Sequence, residues 1–387
     1  MKIVIAPDSF KGSLSAVESA EAIERGVKKA LPESDTTLVP IADGGEGTLE
    51  TLVVATGGFT RSVSVMGPLG DEVEAMYGIL GDGETCVIEM ASASGIGLVP
   101  KGDLNPFLTT TYGTGELIAE ALDEGYRKFI LAIGGSATND GGAGMLQALG
   151  VRLLNESGGP VGMGGGSLTN IRSIDLTGFD QRISSSTFLI ASDVENPLIG
   201  PSGASYVFGP QKGASPEGVK VLDRHLEHWA DVVEHTTGVS LHDKRGAGAA
   251  GGIGGAFQAF FPSKMERGID VVIRYTNLEG KLVGADLVVT GEGRVDSQTA
   301  SGKTPMGVAQ AANDLGIPTV VMAGSVGDGI NALYPYGVIG VHSMLNRPMT
   351  LEVAMKEASA LLESSTEQVV RSFFHSHVHN KQGGLVL

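Results

Sequence analysis

Apolar residues in this chain fall in short runs that end in polar, glycine-rich loops. The first run, Ile3 to Ala6, predicts a buried strand leading into the loop Asp8-Ser9-Phe10-Lys11-Gly12-Ser13. Ser15 and Glu18 then have capping-box spacing, Ala16, Ala20, Ile23, Val27 and Leu31 repeat on one helical face, and Pro32 stops the helix. Thr37 to Ala42 predicts a second strand, which runs into Asp43-Gly44-Gly45-Glu46-Gly47-Thr48. Strand and helix alternating in this order predict a parallel α/β sheet.

Near residue 66 the pattern changes. Glu72 to Leu80, the turn Gly81-Asp82-Gly83 and Glu84 to Met90 predict a β-hairpin. A helix is expected over Glu116–Glu124 and strands over Phe129–Ile133 and Thr187–Ala191, the latter leading to Ser192-Asp193. Gly246 to Phe261 reads as a Gly/Ala-rich helix. From Ala285 the parallel pattern returns, with strands at Leu287–Thr290, Pro318–Ala323 and Val338–Ser343 and helices at Pro305–Leu315 and Leu351–Phe374. The fold class is therefore α/β with two α/β domains. Residues 1–65 and 285–387 would form a parallel, Rossmann- or flavodoxin-like domain. Residues 66–284 would form an inserted mixed α/β domain, with a cleft between the two.

Composition narrows the function. A chain of 387 residues suits about two domains, and 42% apolar with 18% charged residues is a globular balance. With 27 Lys+Arg against 44 Asp+Glu the net charge is −17, which argues against nucleic acid or an anionic membrane as partner. Cys86 is the only cysteine and sits in an apolar run, so it reads as core and no intramolecular disulfide can form. The N-terminal apolar run is too short for a signal peptide, and no stretch approaches the ~18 apolar residues of a membrane span. The expected location is cytoplasmic.

Ligands of parallel sheets bind beyond the carboxyl ends of the strands. Three predicted strand ends carry acids in glycine-flanked loops: Asp8, Asp43 with Glu46, and Glu292 with Asp296. Such carboxylates could hold a divalent metal through hard oxygens, or could simply cap turns. Lys11, Lys212, Arg294 and Lys303 lie in these or similar loops of a chain poor in basic residues and suit phosphate or carboxylate recognition. Ser297 to Thr304 misses the P-loop pattern at its first glycine, and Thr304-Pro305 also reads as a plain helix cap. Gly246-x-Gly248-x-x-Gly251 lacks the apolar strand that a dinucleotide site needs. His375, His377 and His379 alternate in a tail that solvation explains. No G-x-S-x-G elbow supports acyl transfer.

Five segments acquire meaning together: D-S-F-K-G-S-L-S-A at 8–16, I-A-D-G-G-E-G-T at 41–48, G-G-S-A-T-N-D-G-G-A-G at 134–144, F-G-P-Q-K-G-A at 208–214 and T-G-E-G-R-V-D-S-Q at 290–298. In this order and spacing the chain resembles the bacterial type I glycerate kinases, from residue 1 to past 340. The resemblance implies transfer of the ATP γ-phosphoryl group to D-glycerate with Mg²⁺, giving 2-phosphoglycerate, on a fold unlike the P-loop kinases. Asp8, Lys11, Asp43, Glu46, Glu292, Arg294 and Asp296 would then line one wall of the cleft, with Ser136, Asn139, Asp140, Asp193 and Lys212 facing them. Asp193, Asp8 and Lys11 are the expected catalytic residues, Asp193 as base. Ser9, Ser136, Thr138, Asn139, Lys212 and Arg294 are expected to bind substrate and phosphate. Asp43, Glu46, Asp140, Glu292 and Asp296 are the expected metal ligands. A kinase for another small hydroxy acid and a non-catalytic metabolite sensor are the alternatives, and a homodimer stays open.

Overall fold

The structure is a computed structural model that describes residues 1–301 and 303–375. His377 and His379 of the tail therefore lie outside the described residues. The chain opens with β1 (Lys2–Ile5), α1 (Ala16–Ala30), β2 (Asp35–Leu38), α2 (Thr48–Thr56), β3 (Phe59–Met66), β4 (Glu72–Ile79) and β5 (Thr85–Glu89). It continues with α3 (Ala91–Ser94), α4 (Tyr112–Asp123), β6 (Lys128–Ala132), α5 (Ala143–Ala148), β7 (Arg152–Leu154), β8 (Ser173–Asp175) and β9 (Thr187–Ala191). Then come α6 (Ala204–Phe208), α7 (Pro216–Thr237), α8 (Ile253–Phe260), β10 (Ser263–Glu266), α9 (Gly268–Tyr275) and α10 (Leu278–Leu282). The last elements are β11 (Leu287–Val295), α11 (Thr304–Asn313), β12 (Thr319–Val326), β13 (Val338–Ser343), α12 (Leu351–Lys356) and α13 (Ala358–Phe373).

The chain divides into two units, Met1–Asp43 with Ile269–Leu387, and Gly44–Gly268. Residues 44–65 group with the inserted unit because α2 packs on β4 and β5 and β3 pairs along its whole length with β4. Residues 269–284 group with the chain ends.

In the unit of the chain ends, five parallel strands run in the order β2-β1-β11-β12-β13, the flavodoxin-like order with its switch point between β1 and β11. Period-2 alternation sends Val320 and Met322 into one core with Ile3, Ile5, Ile23, Val27 and Leu361. Val321 and Ala323 enter another core with Met306 and Leu333. Helix α1 begins as expected: the Ser15 N–H donates to Glu18 Oε2 at 2.8 Å and the Glu18 N–H donates to Ser15 Oγ at 3.2 Å. Gly26 lets α1 lie against α13, since a Cβ there would meet the Glu363 carbonyl oxygen at 2.4 Å. Strand β2 ends at Leu38 rather than Ala42. The chain stays tied to β1 through Val39 N–H to Ile5 O and Ile41 N–H to Pro7 O, but Pro7 and Pro40 offer no N–H to complete a ladder. The helix expected over Leu351–Phe374 is two, broken at Glu357.

The inserted unit has a six-stranded mixed sheet, β10-β9-β6-β5 parallel and β4 and β3 antiparallel at its edge. Its core holds Cys86, Phe129, Phe188, Trp229 and Phe257, and burial pushes the Cys86 thiol pKa up. The helix expected over Gly246–Phe261 starts only at Ile253. Ala250 and Gly251 before it are left-handed, and a Cβ on Gly251 would lie 1.9 Å from the Thr138 carbonyl oxygen. That close approach, not helix formation, is why the segment is rich in small residues. No helix among the described residues is long and apolar enough to cross a membrane.

Candidate functional site

The candidate residues form two sets, one in each unit. In the unit of the chain ends, the acids converge because they end adjacent strands. The register that sets Ile3 beside Leu287 and Ile5 beside Val289 carries on past β1, where the Asp8 N–H donates to the Gly291 carbonyl at 2.8 Å. Asp8 is thereby set beside Glu292, at the switch point, where parallel sheets bind ligands. Asp43 follows β2 on the other side of β1.

Asp8 is partly buried and accepts from the Ser9 N–H at 2.6 Å and from the Thr304 hydroxyl. Burial first, then the field of Asp43, raises its pKa to about 7, against the two hydrogen bonds; Glu292 adds a smaller push. Burial also raises the pKa of Glu292, against the hydroxyl of Thr299 at 2.6 Å and the ammonium of Lys303 at 3.9 Å, with Asp43 and Asp296 adding repulsion. Asp296 differs. Its pKa is lowered, chiefly by the Gln298 N–H at 3.0 Å, and Arg294 Nε lies 3.0 Å from its other oxygen. Arg294 is exposed and turned to that partner.

The loop after Asp8 is anchored by Phe10, buried in the core at 1% exposure, and closes on itself through Phe10 N–H to Leu14 O. This leaves Lys11 exposed at the turn, with no acid paired to it among the described residues. Thr304 does not cap its own helix. It is the first residue of α11, Lys303 is the cap, and the Thr304 hydroxyl is given to Asp8. The near-miss P-loop therefore supplies a carboxylate partner. Among the described residues no three acids or histidines close into a ready-made metal cage.

In the inserted unit the 44–47 loop lies over the carboxyl ends of β6 and β9. Gly44, at φ +91°, would place a Cβ 2.9 Å from the Ala191 carbonyl oxygen, and its own carbonyl accepts from the Gly134 N–H. Glu46 is exposed on this loop. Glu89, unread in the sequence, ends β5 and accepts from the Leu49 N–H at 2.7 Å, so its carboxyl occupies the start of α2. Burial raises its pKa to about 7. Asp193, after β9, accepts from the Gly268 N–H at 3.0 Å and has Arg267 Nε at 4.0 Å.

The 134–144 loop is built from its interior. Asp140 is fully buried and accepts from Thr111 N–H and Oγ1–H, both at 2.8 Å, and from the Gly142 and Gly144 N–H groups at 3.1 and 3.3 Å. Four donors mean that it holds the starts of α4 and α5 as an anion, although burial pushes its pKa up. Its lone pairs are spent inside the chain, which does not suit the metal role expected of it. Lys212 is also interior at 1% exposure, and its ammonium donates to Ser136 Oγ and to the Thr138 carbonyl, both at 2.7 Å. Thr138 and Asn139 are fully buried, and Thr138 Oγ1 and Asn139 Oδ1 have no hydrogen-bond partner among the described residues.

Comparison with known proteins decides the family. A sequence model of the glycerate kinase family matches residues 3–374. The chain belongs to the glycerate kinase family. It is 50% identical over 372 residues to the glycerate kinase of Bacillus subtilis (strain 168), covering 96% of this chain and 97% of that one. It is 49% identical over 358 residues to the glycerate 2-kinase of Escherichia coli (strain K12), covering 92% and 94%. The crystal structure of a candidate glycerate kinase 2 from Salmonella typhimurium LT2 superposes with a TM-score of 0.86 at 47% identity, over 97% of this chain and 99% of that one. The glycerate kinase resemblance read from the five segments is thus borne out over nearly the whole chain.

Proposed function

We propose that this protein transfers the γ-phosphoryl group of ATP to the 2-hydroxyl of D-glycerate, giving ADP and 2-phosphoglycerate, in the cytoplasm where ATP is supplied. The observation that carries this is the near-full-length likeness to proteins named glycerate kinase and glycerate 2-kinase. The reaction forms a bond from the substrate hydroxyl oxygen to phosphorus, breaks the β–γ bridge and releases the hydroxyl proton. Its demands are positioning and charge neutralisation more than covalent catalysis.

The donor set at the switch point fits Mg²⁺. Asp8, Asp43 and Glu292 repel one another, and this repulsion adds to burial in raising the pKa values of Asp8 and Glu292. Asp43 and Glu292 would hold the ion, which would supply positive charge to offset that of the phosphates. Asp8, with a pKa near neutrality, is suited to receive the hydroxyl proton. We assign it that role over Asp193, whose carboxylate is engaged by Gly268 and Arg267. Exposed Lys11, on a loop pinned by Phe10, is placed to meet phosphate oxygens. Arg294 and Asp296 keep each other oriented beside it. In the inserted unit, Ser136 is the side chain of the Ser136–Asn139 loop that keeps some exposure, and we assign it to a substrate oxygen.

The test is ADP release by the purified chain with ATP and Mg²⁺ against D-glycerate, L-glycerate, glycolate and lactate, with the product identified by phosphorus NMR. Turnover confined to D-glycerate with the phosphate on C2 is expected. No turnover would remove the kinase reading. Equal turnover with glycolate or lactate would move it to another hydroxy acid.

A further inference from the structure

We infer that Lys212 is a positioning residue that never touches substrate, and that it fixes the Ser136 hydroxyl as an outward donor to a substrate oxyanion. The inference rests on the phosphoryl-transfer reading above.

The argument begins with hydrogen-bond polarity. An ammonium has donors only, so in the 2.7 Å contact Lys212 donates and Ser136 Oγ must accept. A second N–H of the same ammonium goes to the Thr138 carbonyl at 2.7 Å, so one buried cation fixes two alternate residues of the loop. Ser136 therefore cannot turn its proton inward. No hydrogen bond donated by Ser136 Oγ is found among the described residues, and Ser136 keeps 7% exposure next to exposed Gly135. A cation on the inner side of a hydroxyl also polarises it and makes it a stronger donor. Lys212, at 1% exposure, cannot reach a ligand itself. The oxyanion is the glycerate carboxylate or a phosphate of ATP, and the two kinetic arms below separate them.

The arrangement depends on the proton that Lys212 carries. Burial lowers its pKa to about 7, and the one charged group that opposes this is Asp140, in the 134–144 loop that also carries Ser136. The 210–212 turn adds no other titratable side chain. Once the amine is neutral it has a lone pair, the Ser136 proton can turn inward to it, and the outward donor is lost.

The experiment measures kcat and KM for D-glycerate and for ATP in wild type, Ser136→Ala, Lys212→Met and the double variant from pH 6 to 9, with thermal melts alongside. Each single change should raise one of the two KM values by about ten- to a hundredfold, the loss of one charge-assisted hydrogen bond, and alter kcat only severalfold. The double variant should be no worse than the worse single. In wild type the same KM should rise above neutral pH, and in Ser136→Ala it should stay flat. Multiplying losses in the double variant would show Lys212 acting on substrate independently and overturn the inference. An unaffected Ser136→Ala would overturn it too. If Lys212→Met fails to fold, the pH profile of Ser136→Ala still decides, because that variant keeps Lys212 in place. Wild type without turnover on D-glycerate would defeat the kinase reading instead, so the two failures are distinguishable.

Discussion

Asp8→Asn should stabilise the protein while destroying its activity. The Asp8 carboxyl has its pKa raised from 3.8 to about 7, first by burial and then by Asp43. A raised pKa means that the folded state holds a proton which the unfolded chain releases, so its stabilising effect is fully present below pH ~3.8. It is lost as pH rises towards 7 and stays lost above that. A shift of about three units corresponds to at most about 4 kcal/mol of stability lost between those limits. Asn has the same shape and no charge. It can still accept from the Ser9 N–H, and the Thr304 hydroxyl can reverse to accept from it, at a cost of about 1 kcal/mol in hydrogen bonding. The expected net gain at pH 8 is about 1–3 kcal/mol, shrinking to nothing near pH 4, where the folded carboxyl is protonated and the unfolded one is only about half ionised. Urea denaturation at the two pH values, with EDTA to exclude cations, measures this. Activity at pH 8 should fall at least about a hundredfold, the usual contribution of a general base. A variant less stable than wild type at pH 8 would refute the charge-crowding argument, because Asp8 would then act as an ordinary turn carboxylate.

Lys303→Ala should lower kcat/KM by less than about tenfold, ~1.4 kcal/mol, because its ammonium is 3.9 Å from Glu292 and its side chain 41% exposed; steady-state kinetics showing a loss of several hundredfold would restore a P-loop role. Asp140→Ala should cost at least about 3 kcal/mol in urea melts, since four interior donors lose their acceptor. Unchanged stability with a raised Mg²⁺ requirement would mark it as a metal ligand instead.

Much of the fold was legible because the strands are short apolar runs with clear ends. Val338–Ser343 and Thr187–Ala191 match their predicted bounds. Helix α7 was legible too, though not singled out above: Ser215 caps it, Pro216 opens it, and Val219, Leu222, Leu226, Trp229 and Val233 line one buried face. Helix α2 was harder. Its sequence, T-L-E-T-L-V-V-A-T, is apolar and β-branched almost throughout, so periodicity cannot separate helix from strand. The Gly246–Phe261 segment misled for a different reason. Small residues suit close packing of any backbone, and here the packing partner is a loop more than a hundred residues earlier.

The site divides along the same physical line. Asp8, Asp43 and Glu292 could be found from sequence because strand ends determine where side chains gather, and β-strand register is a local property that propagates. Glu89 carried the same signal, an acid closing the apolar run Thr85–Glu89, and it too ends a parallel strand. What sequence could not give is which way a polar side chain turns. Asp140 and Asp8 both sit in loops flanked by small polar residues. One is interior because Thr111, 29 residues earlier, brings an N–H and a hydroxyl to it, and the other is left short of donors beside two further acids. Lys212 reads as a phosphate- or carboxylate-binding cation in a polar loop and is buried for the same reason: Ser136 and the Thr138 carbonyl, more than seventy residues away, supply the acceptors that make burial tolerable. A charged residue's role is set by whether distant partners satisfy it. Those that the fold satisfies are structural, and those it leaves crowded or unpaired are the ones available for chemistry.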